Sequence, residues 1–201
     1  MTHVHAKIED SNGAHEACQV CANYMTILQV YNESNEKLYT GEDMNNTDLG
    51  HLRTTIDIAG QAREHGNHPF GAILVDDNND VLLQAENTVV TGSDCTGHAE
   101  TNLMRLATQH FSLEKLASCT LYTSTEPCAM CAGAIHWGNV RRVVYALGET
   151  DLYDMVGPSP DHLLLPCREV FSRSQRHVHV EGPALELRLE ARRVHDGFWQ
   201  V

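Results

Sequence analysis

No run of apolar residues in this chain approaches the ~20 that a membrane-spanning helix needs. The opening residues, Met1-Thr-His-Val-His-Ala-Lys7, lack a basic stretch leading into an apolar one. No secretory leader is therefore expected, and a cytoplasmic location is. Basic residues are scarce: 14 Lys and Arg stand against 27 Asp and Glu, a net charge of −13. The acidity is not confined to a tail, with eight acids and two bases in residues 1–50 and nineteen acids and twelve bases beyond. Proteins that grip nucleic acid usually present a basic face, because phosphate neutralisation supplies much of their affinity. Nucleic acid is thus not the expected partner; a small molecule is. No internal repeat is present.

What is present is ordinary globular composition, 42% hydrophobic and 20% charged, in 201 residues, enough for one domain with a core. Seven cysteines stand at 18, 21, 95, 119, 128, 131 and 167. Their number is odd and two pairs have C-x-x-C spacing, which favours metal binding over a disulfide framework.

Residues 1–47 differ from the rest and are read as an N-terminal extension, poorly ordered, ahead of a domain over 48–201. The extension carries Cys18 and Cys21 near His3, His5 and His15, a set that invites comparison with a second metal site. Asp48 is placed as the cap of a helix over Leu49–Glu64. Phe70–Val75 and Val81–Ala85 flank the turn Asp76–Asp80 and read as a hairpin. A loop over Thr91–Gly97 leads into a helix over His98–Gln109. Strands are expected at Thr120–Ser124, Arg141–Leu147 and His177–Val180. Helices are expected at Pro127–Trp137, at Leu163–Arg173 with a break near Pro166, and at Leu185–His195, and residues 148–162 read as a loop. Strands alternating with helices argue for an α/β sheet covered on both faces, with a hairpin at one side.

The chemistry concentrates at two helix starts. His98-Ala-Glu100 opens one, and Pro127-Cys-Ala-Met-Cys131 opens the other. Cys128 and Cys131 are three residues apart, share a helix face, and lie where the helix dipole favours thiolate. With His98 they make three zinc ligands, leaving a fourth position open as a catalytic site requires. Glu100 is placed to carry protons without ligating the metal. A structural site would need a fourth protein ligand, for which Cys95, Cys119 or His136 are candidates. A lone H-x-E or a lone C-x-x-C says little. The ordered pair, H-x-E followed by P-C-x-x-C, is the signature of zinc deaminases.

Residues from about 49 to 147 resemble the cytidine-deaminase-like superfamily. The resemblance is carried by Pro69-Phe-Gly-Ala-Ile-Leu-Val75, Glu86-Asn-Thr88, Gly97-His-Ala-Glu100 and the stretch Thr120 to His136. It is strongest to the branch of bacterial-type guanine deaminases, tRNA adenosine deaminases and yeast-type cytosine deaminases. The resemblance implies a three-layer α/β/α sandwich with a mixed five-stranded sheet, one zinc ion per chain and usually a homodimer. It also implies that Asn87 holds the edge of the bound base, although a strand-end turn would equally account for that residue. The reaction implied exchanges a ring amine for a carbonyl with loss of ammonia. A guanine-type purine is the favoured substrate, with Asp151 or Asp154 available to read its amine. tRNA adenosine is the first alternative, against which stand the acidity and Thr125, where that pattern carries an apolar residue. Cytosine is the second, for which Phe198-Trp199 offers an aromatic lid.

Overall fold

A computed structural model describes residues 44–160 and 162–199. The proposed extension over 1–47, with its Cys18 and Cys21, lies almost wholly outside the described residues. Five strands form one mixed sheet: β1 (Gly71–Val75), β2 (Val81–Glu86), β3 (Thr120–Thr125), β4 (Arg142–Leu147) and β5 (His179–Glu181). Their order is β2-β1-β3-β4-β5. β1 runs antiparallel to both β2 and β3, whereas β3, β4 and β5 run parallel. β1 and the greater part of β3 and β4 are buried, which is why they read as continuous apolar or small runs rather than alternations.

Eight α-helices are described: α1 (Asn46–Glu64), α2 (Val89–Gly92), α3 (Ala99–His110), α4 (Leu113–Ala117), α5 (Ala129–Trp137), α6 (Glu149–Val156), α7 (Cys167–Ser172) and α8 (Arg188–Arg193). One sheet face is covered by α3, α5 and α7 through Leu103, Ala132, Ile135 and Phe171 around Leu121 and Val143. The other is covered by α1 and α8 through Leu52, Ile56 and Ala191 around Ile73, Tyr122 and Val144. This is the three-layer α/β/α sandwich. No helix among the described residues is long and apolar enough to cross a membrane.

α1 lies so close to β1 that a side chain at Gly71 has no room. A Cβ there would stand 2.5 Å from the Thr55 carbonyl oxygen and 2.7 Å from Ile58 Cβ. The P-F-G sequence before β1 thus records a close approach of helix to strand.

Several expectations change. Asn45, not Asp48, caps α1, its side chain accepting from the Asp48 amide at 2.9 Å. The loop expected over 148–162 contains α6, and the loop after β2 contains α2. The expected last helix splits into a 3₁₀ turn, Leu185–Leu187, and α8, and the break at Pro166 becomes the start of α7.

Freed from capping, Asp48 is nearly buried and takes a different role. Its carboxylate accepts from the Tyr122 hydroxyl at 2.5 Å and from both terminal nitrogens of Arg142 at 3.0 Å. Arg142 reaches on to Glu181 at 2.7 Å, so one guanidinium ties α1, β3, β4 and β5 together. Burial pushes the Asp48 carboxyl up, but the hydrogen bonds from Arg142 and Tyr122 outweigh it and hold the group below the usual carboxylate range. Arg142→Met is expected to destabilise the fold by about 3–5 kcal/mol at neutral pH, because it strands a buried charge. Thermal unfolding of variant and parent checks this. A depressed folded-state value stabilises only above it, so the penalty should shrink as pH falls through the folded Asp48 value and the parent loses the same pairing.

Candidate active site

The site stands at the end of β3, where two helices begin. His98 and Cys128 are the N-cap residues of α3 and α5, with extended backbone at φ −68 and ψ 151 and at φ −63 and ψ 170. N-cap side chains usually bond their own helix. Neither of these does; both turn inward. His98 Nδ1 stands 3.6 Å from Cys128 Sγ and 3.6 Å from Cys131 Sγ. The three ligand atoms lie within 4.8 Å of one another. With Zn–S near 2.3 Å and Zn–N near 2.0–2.1 Å, sulfur and nitrogen of a tetrahedral site stand roughly 3.6 Å apart. Donor chemistry and spacing therefore both fit zinc.

The fourth-ligand candidates are elsewhere. Cys119 is buried in the core and donates to the Lys115 carbonyl, Cys95 is exposed, and His136 meets Ser174. The group gathered here holds three protein ligands, the number of a catalytic site. Of the two thiols, Cys128 is the acidic one. The neighbouring Cys131 and His98 pull it below the usual thiol range.

Glu100 sits in the first turn of α3 and is buried. Its Oε1 accepts from the Thr123 hydroxyl at 2.8 Å, and its Oε2 accepts from Cys131 Sγ at 3.4 Å. Burial, reinforced by the Cys128 charge, pushes the carboxyl up. A carboxyl so placed is suited to holding and releasing a proton beside the metal ligands.

Asn87 follows β2 and is fully buried. Its amide nitrogen donates to the Phe70 carbonyl at 3.0 Å, and its side-chain Oδ1 accepts from the Val89 amide at 3.0 Å. That second bond fixes the orientation of the side-chain amide. Among the described residues, its Nδ2 is buried without a partner. The local geometry is thus both the turn residue and a poised donor, since a buried N–H without an acceptor is rare unless a ligand or water supplies one.

Three supporting residues were not evident from sequence. Asn102, one turn along α3, donates to the Glu86 carbonyl, the Thr88 hydroxyl and the Gly97 carbonyl, so it clamps the Asn87 loop to the helix that carries Glu100. Thr123 orients Glu100. Glu126 is buried and accepts the backbone amides of Glu149 and Cys167, fastening the starts of α6 and α7 to the zinc loop. Strand alternation on β3 puts Thr123 on the face of buried Leu121 but does not single out Glu100 as its partner.

Residues 195–199 fold against this region. Trp199 stacks on His195 with centroids 6.0 Å apart, meets Phe70 at 6.1 Å and His68 at 5.4 Å, and Phe198 meets His68 at 5.9 Å. His68 and Phe70 belong to the loop leading into β1, and Phe70 holds the Asn87 amide. Asp151 is nearly buried and ion-paired with Arg188 and Arg192, while Asp154 is exposed.

Set beside known proteins, residues 45–147 match the family model described as the cytidine and deoxycytidylate deaminase zinc-binding region. The chain belongs to this family. Its enzymes are zinc-dependent hydrolytic deaminases, and this chain is one of them. A probable cytosine deaminase from Schizosaccharomyces pombe is 41% identical over 159 residues, 78% of this chain and 95% of that one. The guanine deaminase of Bacillus subtilis is 43% identical over 83 residues, 41% of this chain and 53% of that protein. A solved structure from work on A-to-I editing by tRNA:A34 deaminases at the wobble position is 28% identical, covers 67% of this chain and 98% of its own, and superposes with a TM-score of 0.53.

Proposed function

We propose that this deaminase acts on a free nucleobase, cytosine first, with His98, Cys128 and Cys131 holding the zinc, Glu100 carrying protons and Asn87 holding the base. The observation that carries the choice of base is the extent of the match to the probable cytosine deaminase, which spans nearly the whole of that protein. The aromatic packing of Phe198 and Trp199 on the loop beside Asn87 supports it, because an apolar cover suits a pocket that excludes water around a small ring.

A zinc ion at the triad supplies Lewis acidity that makes water a nucleophile near neutral pH. Glu100 accepts a proton from the attacking water and delivers it to the ring nitrogen beside the carbon under attack. It then takes the remaining proton of the added hydroxyl and passes it to the departing amine. Thr123 holds the carboxylate in one orientation through these transfers. Asn87 Nδ2 donates to an acceptor on the ring. The C–N bond breaks, ammonia leaves, and a carbonyl stands where the amine stood.

The guanine-type reading takes second place. It is supported by the similarity to the Bacillus subtilis enzyme over half of that protein's length. The carboxylates expected to read a purine amine do not support it, since Asp151 is engaged by two arginines and Asp154 faces outward. The net charge of −13 argues against a tRNA substrate. A homodimer, a cytoplasmic location and a deaminase domain over 48–201 belong to the same proposal; exposed Met130 and Trp137 on α5 support the dimer.

Ammonia release from the zinc-loaded protein, measured across free bases and nucleosides, tests the assignment. Cytosine should give the highest kcat/KM. Guanine at the head of the series would move the enzyme to the second reading.

A further inference from the structure

Thr125 ends β3, three residues before Cys128. Residues two apart on a strand share a face, and Thr123 on that strand donates its hydroxyl to Glu100. Thr125 is the next residue along that face, at the end where the zinc loop begins. It is 3% exposed, and its Oγ1 is buried with no hydrogen-bond partner among the described residues. The contrast with its neighbours is sharp. Thr123 and Ser124 both have bonded hydroxyls, Ser124 accepting from the Gly71 amide at 3.1 Å. Among the described residues, Asn87 Nδ2 is another polar atom of this kind beside the site, and His195 Nε2, under Phe70 and Trp199, is a third. A buried hydroxyl without a partner is costly, and packing alone would favour valine, which has the same shape.

We propose that the Thr125 hydroxyl is a specificity-determining contact, hydrogen-bonding a polar atom on the edge of the bound ring as a second point of recognition beside Asn87. An amide N–H only donates, whereas a hydroxyl donates or accepts. The pair therefore selects a ring that offers an acceptor to Asn87 and either kind of polar atom to Thr125, the pattern of a cyclic amidine with an adjoining carbonyl. Removing the hydroxyl strands that polar atom of the substrate, which is where binding sites discriminate most strongly. The inference rests on the nucleobase reading only for the identity of the ring.

Thr125→Val and Thr125→Ser test it, each compared with the parent in full-length, zinc-loaded protein. Thr125→Val should lower kcat/KM by roughly 10–100-fold, the usual range for one lost hydrogen bond to a ligand. Its zinc content should be unchanged and its Tm equal to or above the parent's, because an unpaired buried hydroxyl has been removed. Thr125→Ser should keep kcat/KM within about threefold. Parent-level kcat/KM in Thr125→Val overturns the proposal. So does a parallel fall of Tm, zinc and activity in that variant, which marks a structural role. If the parent releases no ammonia from any base, the nucleobase reading fails instead, and the same ratio is taken on whichever nucleoside or anticodon stem-loop the parent deaminates.

Discussion

Glu100→Ala is expected to purify folded and zinc-loaded, with deamination reduced by roughly 10²–10⁴-fold, and further if one carboxyl serves every proton transfer. The side chain ligates nothing in the triad, so its loss leaves His98, Cys128 and Cys131 in place. It also removes a buried ionisable group whose bonds go to Thr123 and Cys131. The fold should therefore lose little, and any loss should be far smaller than the loss of rate. Glu100→Gln keeps the size and the bond from Thr123 but cannot accept and return a proton, so it should be nearly as inactive. Zinc analysis, thermal unfolding and ammonia release on the same samples separate the outcomes. Near-parent turnover in either variant would remove Glu100 from the proton path.

The thiolates should behave in the opposite way. Cys128→Ala or Cys131→Ala leaves two protein ligands where a catalytic zinc site uses three. Each is expected to lose its one zinc ion and all measurable turnover together, as read by metal content after dialysis. Cys119→Ala and Cys95→Ala should retain the metal, because one thiol is spent in the core and the other is exposed. Retention of stoichiometric zinc by Cys131→Ala would mean that another group holds it. Loss of zinc on changing Cys18 and Cys21, with Cys128 and Cys131 intact, would move the metal to the N-terminal segment.

The proposed ligands are legible because they stand at two helix starts, and a helix start is written in a few consecutive residues. His98-Ala-Glu100 and Pro127 to Cys131 each place their chemistry within one turn. Thr123 and Asn102 were not legible, because their roles exist only when β3 and the Asn87 loop meet α3. Nothing in a Thr or an Asn announces a partner 23 or 16 residues away. Glu126 is the same case at longer range, since it fastens Cys167, 41 residues on. Asp48 departs from the expectation for a related reason. It has the right chemistry for a cap, but Asn45 takes that place, and the pull of Arg142, 94 residues away, settles where the carboxylate goes. α6 carries Glu149, Asp151 and Asp154, so its sequence looks like a polar loop. Glu149 accepts from Tyr153 within the helix, Asp151 is neutralised by Arg188 and Arg192, and Gly157 ends the helix at φ 80.

Hydrolytic deamination of a free base leaves one water oxygen in the product and one ammonia in solution. Zinc-loaded protein is incubated with cytosine in ¹⁸O-enriched water, and product mass is followed alongside ammonia. One heavy oxygen in each product molecule, with one ammonia released per product, is the expected result, because water supplies the oxygen that replaces the amine. No ammonia from cytosine or any other free base, with adenosine in an anticodon stem-loop converted to inosine by the same preparation, would contradict it.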